Sequence, residues 1–188
     1  MNRTGGNKIA IGIVLIIIAV LSRLLPHWHN FTAVGAVGLF GAFYFRKQVW
    51  AFLVPLMALW ISDLVLNNWV YSAYHPEFVW FTQYMIFVYI GMMALIITGQ
   101  TLLGKFTGSR VLTASILASL IFFLISNFGS FLFDPMYPKD ISGLSAAYLA
   151  GIPFFWNTLM ANVIYSLIIF GLFYWASLRF PSLRIART

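Results

Sequence analysis

Residues 22–45 read "SRLLPHWHNFTAVGAVGLFGAFYF". A greasy run closes just after Arg23, Pro26 interrupts it, and a second apolar run built from small residues starts almost at once. Pro26 pushes Leu25 out of helical conformation, so one helix must end there. The second run, Thr32–Phe45, has 14 residues. That is short of the roughly 20 a membrane-crossing helix needs. Such a segment is a steep helix, a helix that starts in the outer lip, or a helix shielded by its neighbours. How it is housed decides the fold.

The rest of the chain is equally apolar. Its 188 residues are 62% hydrophobic and 8% charged, and the mean hydropathy is +0.91. A soluble domain carries about 25% charged residues. The composition predicts an all-α integral membrane protein, with residues 1–188 forming a single six-helix transmembrane domain. The expected segments are Ile9–Leu25, Thr32–Phe45, Val49–Leu66, Phe78–Leu102, Val111–Phe133 and Phe154–Leu178. The first run continues to Leu25 without an A-x-A-like site, so it reads as a span and not as a cleaved signal. The absence of cysteine excludes disulfides, thiolate metal sites and cysteine nucleophiles.

The basic residues set the orientation. With the N-terminus inside, the inner segments hold Arg3, Lys8, Arg46, Lys47, Lys105, Arg110, Arg179, Arg184 and Arg187. The outer ones hold only Arg23 and Lys139. Nine against two puts both termini in the cytoplasm and makes the span count even. The formal charge of +7 is then a topology signal and a contact with the lipid bilayer. No basic stripe interleaves with aromatics, so no nucleic-acid partner is expected.

The polar chemistry gathers in the outer connections, which hold all three histidines and most of the acids. Arg23 and Asp63 lie near the outer ends of apolar helices. Ionisable groups at such depth face the protein interior and pair, so an Arg23–Asp63 pair is expected, with Asp63 lining a polar cavity. Asn67 follows one turn beyond Asp63, Asn127 and Asn157 sit near the outer ends of the last two spans, and Asn162 follows in the same last span. Buried amides must be hydrogen-bonded; they glue helices together or read a ligand. Trp156 and the neighbouring aromatics suit a flat ligand or an interfacial belt. Gly38, Gly41 and Ala42 form a small-residue face, either for packing inside the chain or for docking a partner helix. His27 and His29 share a face only in extended chain. With His75 they make a nitrogen–oxygen metal site conceivable, but the spacing matches no zinc pattern. The lip of a cavity is the stronger reading, and no cofactor is expected. No H-E-x-x-H, G-x-S-x-G or phosphate-binding glycine loop is present, so the chain does not read as an enzyme.

Residues 26–66, "PHWHNFTAVGAVGLFGAFYFRKQVWAFLVPLMALWISDLVL", carry a resemblance. A proline-led outer loop, a short small-residue helix and a next helix closing on Ser-Asp are similar to the substrate-binding S components of energy-coupling factor vitamin transporters. The matching residues are Pro26, Asn30, Phe31, Gly41, Phe45, Ser62 and Asp63. The opening "LLPHWHNFTAVGAVGLFGAFYF" and "GIPFFWNTL", Gly151–Leu159, more closely resemble a family of small six-span bacterial membrane proteins grouped with those S components. The resemblance implies a multi-pass protein of the bacterial cytoplasmic membrane, with six helices around an outward-facing cavity for a vitamin-like or micronutrient molecule. In that reading Pro26, His27, Trp28, His29 and Phe31 form a lid loop. Asn30 joins Arg23, Asp63, Asn67, Asn127, Trp156 and Asn157 in binding the ligand. One feature departs from the S-component pattern: Ala10 and Ala19 are nine apart, where many S components carry Ala-x-x-x-Ala on the first helix to meet a coupling subunit. The competing reading is an accessory subunit that docks a larger membrane complex through its small-residue faces.

Overall fold

The structure, a computed structural model, describes residues 3–46, 48–74, 77–180 and 183. All regular structure among the described residues is helical: α1 (Arg3–Leu24), α2 (Val34–Phe45), α3 (Trp50–Val65), α4 (Met85–Leu102), α5 (Gly108–Phe133) and α6 (Ile141–Arg179). A π-helical turn, Leu66–Val70, prolongs α3. Four of these are long and apolar enough to cross a membrane: Trp50–Val70, Met85–Leu102, Gly108–Phe133 and Ile141–Arg179.

The short run is resolved by enclosure. α2 has 12 residues, about 18 Å of helix, and it packs against all five other helices. The others pair in the order α1, α3, α4, α5, α6 around it. Its small residues make this possible, because close approach needs sites without bulk. A Cβ on Gly38 would sit 2.9 Å from Leu95 Cδ2 of α4, and one on Gly41 would sit 3.4 Å from the Ala51 carbonyl of α3. Gly99 of α4 answers with its own gap, 2.9 Å from Ala42 Cβ. The Gly38, Gly41 and Ala42 face is thus covered by the chain's own α3 and α4. The other half of α2 is aromatic. Phe40 meets Phe170 edge-on at 5.2 Å, and Phe106 stacks on Phe170 at 5.8 Å. This cluster fills the end of the bundle that carries the α4–α5 connection.

Local chemistry sets the ends of the elements. Asn30 adopts φ 62°, a left-handed position that asparagine tolerates, and the turn closes with Phe31 N–H on the Trp28 carbonyl at 2.9 Å. Ser22 Oγ on α1 then accepts the Ala33 N–H at 2.9 Å, which ties the start of α2 to α1. Thr107 caps α5.

The last span differs from expectation. A loop was expected up to Pro153; the helix already starts at Ile141 and runs 39 residues, about 58 Å against a hydrocarbon core of about 30 Å. Asp140 starts it early by accepting Gly143 N–H at 2.9 Å and Ser142 Oγ–H at 2.7 Å. Pro153 reads as a boundary but lies inside the helix, where it removes one backbone donor and its ring crowds the Leu149 carbonyl. Those two bonds hold the Asp140 carboxyl below its usual range, the Gly143 amide being the larger cause. A lowered folded-state pKa means this stabilisation is full above the ordinary aspartate range and is lost as pH falls through the lowered value.

Two glycine substitutions separate tight contacts from open ones. Gly99→Ala must push α2 from α4, and should cost about 1–3 kcal/mol. Gly171 has nothing within 4 Å of a Cβ, so Gly171→Ala should leave the melting temperature unchanged or slightly raised. Thermal melts of the two purified variants in one detergent check this.

Candidate functional site

Because α2 is short and its neighbours are not, space remains over its first turn. A cavity of about 660 Å³ lies there, within the common range for small-molecule sites. Val34 and Gly35 of α2, Met92 and Leu95 of α4 and Asn162 of α6 line it at depth, where Leu95 and Asn162 are each 1% exposed. The α1–α2 turn, the end of α3 and the α5–α6 turn surround its mouth.

Arg23 and Asp63 form its charged wall. Arg23 stands in the last turn of α1 and places Nη2 2.6 Å from Asp63 Oδ1. Its Nη1 donates to Ser62 Oγ at 2.9 Å and to the Leu59 carbonyl at 3.3 Å. Ser62 can accept because its own proton goes to the α3 backbone, at the Ala58 or Leu59 carbonyl. Three of its five N–H groups are thus bonded within the wall. Beyond Asp63, the backbone switches to π-helical bonding, with Tyr71 N–H on the Leu66 carbonyl at 2.7 Å. Irregular turns of this kind recur at functional sites because they re-aim side chains; here Leu66, Val70 and Tyr71 all face the cavity.

The other expected site residues divide. Asn30 and Asn127 line the cavity, as do Pro26, His27 and His29 of the expected lid. Asn67, Trp156 and Asn157 do not, and neither do Trp28 and Phe31. Trp156 is 57% exposed on the outside of α6. Asn157 holds the loop instead: its Nδ2 donates to the His29 carbonyl at 2.9 Å. Phe31 leans on Tyr165 with ring centroids 5.7 Å apart, and His29 meets Phe154 at 6.0 Å. The Pro26–Phe31 loop is thus seated on α6. Among the described residues no group of three metal-ligating side chains converges; His75 lies outside the described residues.

Two features escaped sequence reasoning. Asn162 was read only as helix glue or a ligand contact, without a place. It belongs to a polar seam with Ser115 and Ser119 of α5, and Asn162 Nδ2 reaches Ser119 Oγ at 2.7 Å. The signal was available: Ser115, Ser119, Ser126 and Ser130 recur at helical spacing on an otherwise apolar helix. Lys139 was counted only for topology. Its ammonium caps the end of α5, donating to the Phe131, Asp134 and Tyr137 carbonyls at 2.5, 2.9 and 3.0 Å.

Removing one partner of a sheltered ion pair strands the other. Arg23→Ala should lower stability by roughly 3 kcal/mol. The double variant Arg23→Met with Asp63→Leu should recover most of that, as read by a double-mutant cycle of thermal melts.

Comparison with known proteins is narrow in its result. No curated protein and no solved structure matches the chain. One family model does, over residues 4–183, nearly the whole length. The chain belongs to the family of unknown function DUF6580.

Proposed function

We propose that this chain crosses the bacterial cytoplasmic membrane six times, with both termini inside, and captures a small molecule from the outer face. The cavity carries the proposal. It combines a size suited to a vitamin-like ligand, a charged pair in its wall and a mouth ringed by three connections. Its position matches the charge asymmetry, since the mouth lies at the end with Arg23 and Lys139, and the cytoplasmic side takes the excess of Lys and Arg. The likeness of Pro26–Leu66 to the transporter S components points the same way. The protein would act as a binding subunit, not as an enzyme.

One observation favours the accessory-subunit reading. The amide oxygens of Asn127 and Asn162 rest on the Cα positions of Gly151 and Gly35, as a Cβ there would lie 2.2 and 2.1 Å from them. This is also how amides glue helices. In that reading the bare outward faces of α1 and α6 dock a larger membrane protein.

Native mass spectrometry of the gently solubilised protein separates the two. The capture reading expects a co-purifying small molecule on the wild type that is lost in Asp63→Ala. A large protein partner with no small molecule contradicts capture and favours the accessory subunit. Asn157→Ala, which frees the Pro26–Phe31 loop, should speed ligand loss several-fold and leave the melting temperature nearly unchanged.

A further inference from the structure

The Arg23–Asp63 pair is joined by a single short contact. A guanidinium and a carboxylate can meet through two parallel N–H···O bonds; here Arg23 Nη2 meets Asp63 Oδ1 at 2.6 Å. Nη1 gives its protons to Ser62 Oγ at 2.9 Å and to the Leu59 carbonyl at 3.3 Å. Among the described residues nothing accepts from Nε–H or from the second Nη2 proton, and nothing donates to Asp63 Oδ2.

The side on which these unspent groups lie follows from what holds the pair. Ser62 is fully buried on α3 and does not line the cavity. Nη1 therefore points into the wall. Arg23 and Asp63 do line the cavity, and 20% and 12% of their side chains stay open. The open part sets donor N–H groups of the guanidinium beside an acceptor oxygen of the carboxylate, with the Nη2–Oδ1 bond between them.

A ligand edge that answers this has the reverse order: an acceptor for the guanidinium and, next to it, a donor for Oδ2. An amide closed into a ring has that order, because the ring holds its N–H and its carbonyl on one edge. Charge argues for a neutral ligand. A full charge brought up to the pair is attracted by one member and repelled by the other, and its own desolvation is costly. Among the described residues no lysine and no second arginine lines the cavity to hold an anion. The other carboxylate there, Asp134, already accepts Met136 N–H through Oδ1 at 2.8 Å. Phe122, Phe123, Phe155 and Met92 supply apolar walls, which suit a flat ring.

We infer that the cavity takes a neutral, flat heterocycle with a ring amide, and that the Arg23–Asp63 pair reads its –NH–CO– edge. Arg23 donates to the ligand carbonyl, and Asp63 Oδ2 accepts from the ligand N–H. The inference rests on the capture reading and names its ligand class.

The test uses the full chain in detergent at pH 7 with three probes of one shape: 2-quinolone, its N-methyl derivative and quinoline-2-carboxylate. The first carries the whole edge, the second lacks its donor, and the third is an anion. Binding is read by native mass spectrometry and by the shift in melting temperature. Any molecule that co-purifies is extracted and identified. 2-Quinolone should bind about tenfold or more tightly than either of the others, the usual weight of one hydrogen bond to a charged group. In the double variant Arg23→Met with Asp63→Leu, 2-quinolone and its N-methyl derivative should bind alike. The wild-type comparison decides even if that variant does not fold. Equal binding of 2-quinolone and its N-methyl derivative, tighter binding of the carboxylate, a preference that survives in the folded double variant, or a co-purifying molecule without a ring amide overturns the edge reading and leaves capture standing. No bound probe and no co-purifying molecule overturns capture itself, and this inference with it.

Discussion

A helix of 12 residues buried on every side constrains this structure more than any other feature. In hydrocarbon, nothing drives apolar helices together except packing, so a central helix must be thin enough for its neighbours to close on it. α2 meets that demand with glycine and alanine along its length and aromatic side chains at its far end. It covers about 18 Å of a core about 30 Å thick, and the flanking helices run past its start. The chamber over Val34 and Gly35 follows from that mismatch in length. So does its shape: closed toward the aromatic cluster of Phe40, Phe106 and Phe170, and open toward the turns.

The same solvent argument explains the polarity of the chamber. A helix in a membrane satisfies its backbone internally, and hydroxyl side chains add to that by bonding carbonyls one turn back. Ser126, Ser130 and Thr158 do so, and Asn127 and Asn162 send their amide protons to the backbone or to Ser119. Each local satisfaction uses a donor and leaves an oxygen. A cavity lined by such helices gains acceptor oxygens without any residue being placed for a ligand.

Much of the fold was legible because membrane helices announce themselves by length and apolarity. Enclosure of the short second segment was one of three options, and the small residues left it open, since they suit packing within the chain and docking of a partner helix alike. The Arg23–Asp63 pair was legible because two opposite charges in apolar runs have few alternatives. Asn157 and Trp156 were misplaced because the start of α6 was misjudged. Pro153 looked like a boundary, so the helix phase before it was not counted, and Asn157 was assigned to the cavity when it holds the His29 carbonyl. The π-helical turn after Asp63 left no trace in composition. Asn162 was visible as a polar residue in an apolar run, but its partner lies 43 positions away on another helix, and spacing within one helix cannot reveal that.

The chain contains no cysteine, so a single introduced thiol reports its own exposure without interference. The most direct test of the account is labelling of Ser126→Cys in intact cells by a small membrane-impermeant thiol reagent, with Ser119→Cys as the buried control. The account predicts that Ser126→Cys reacts from outside and that Ser119→Cys does not react. Reaction of Ser126→Cys only from the cytoplasmic side, or no reaction from either side, would contradict an outward-facing chamber above α2.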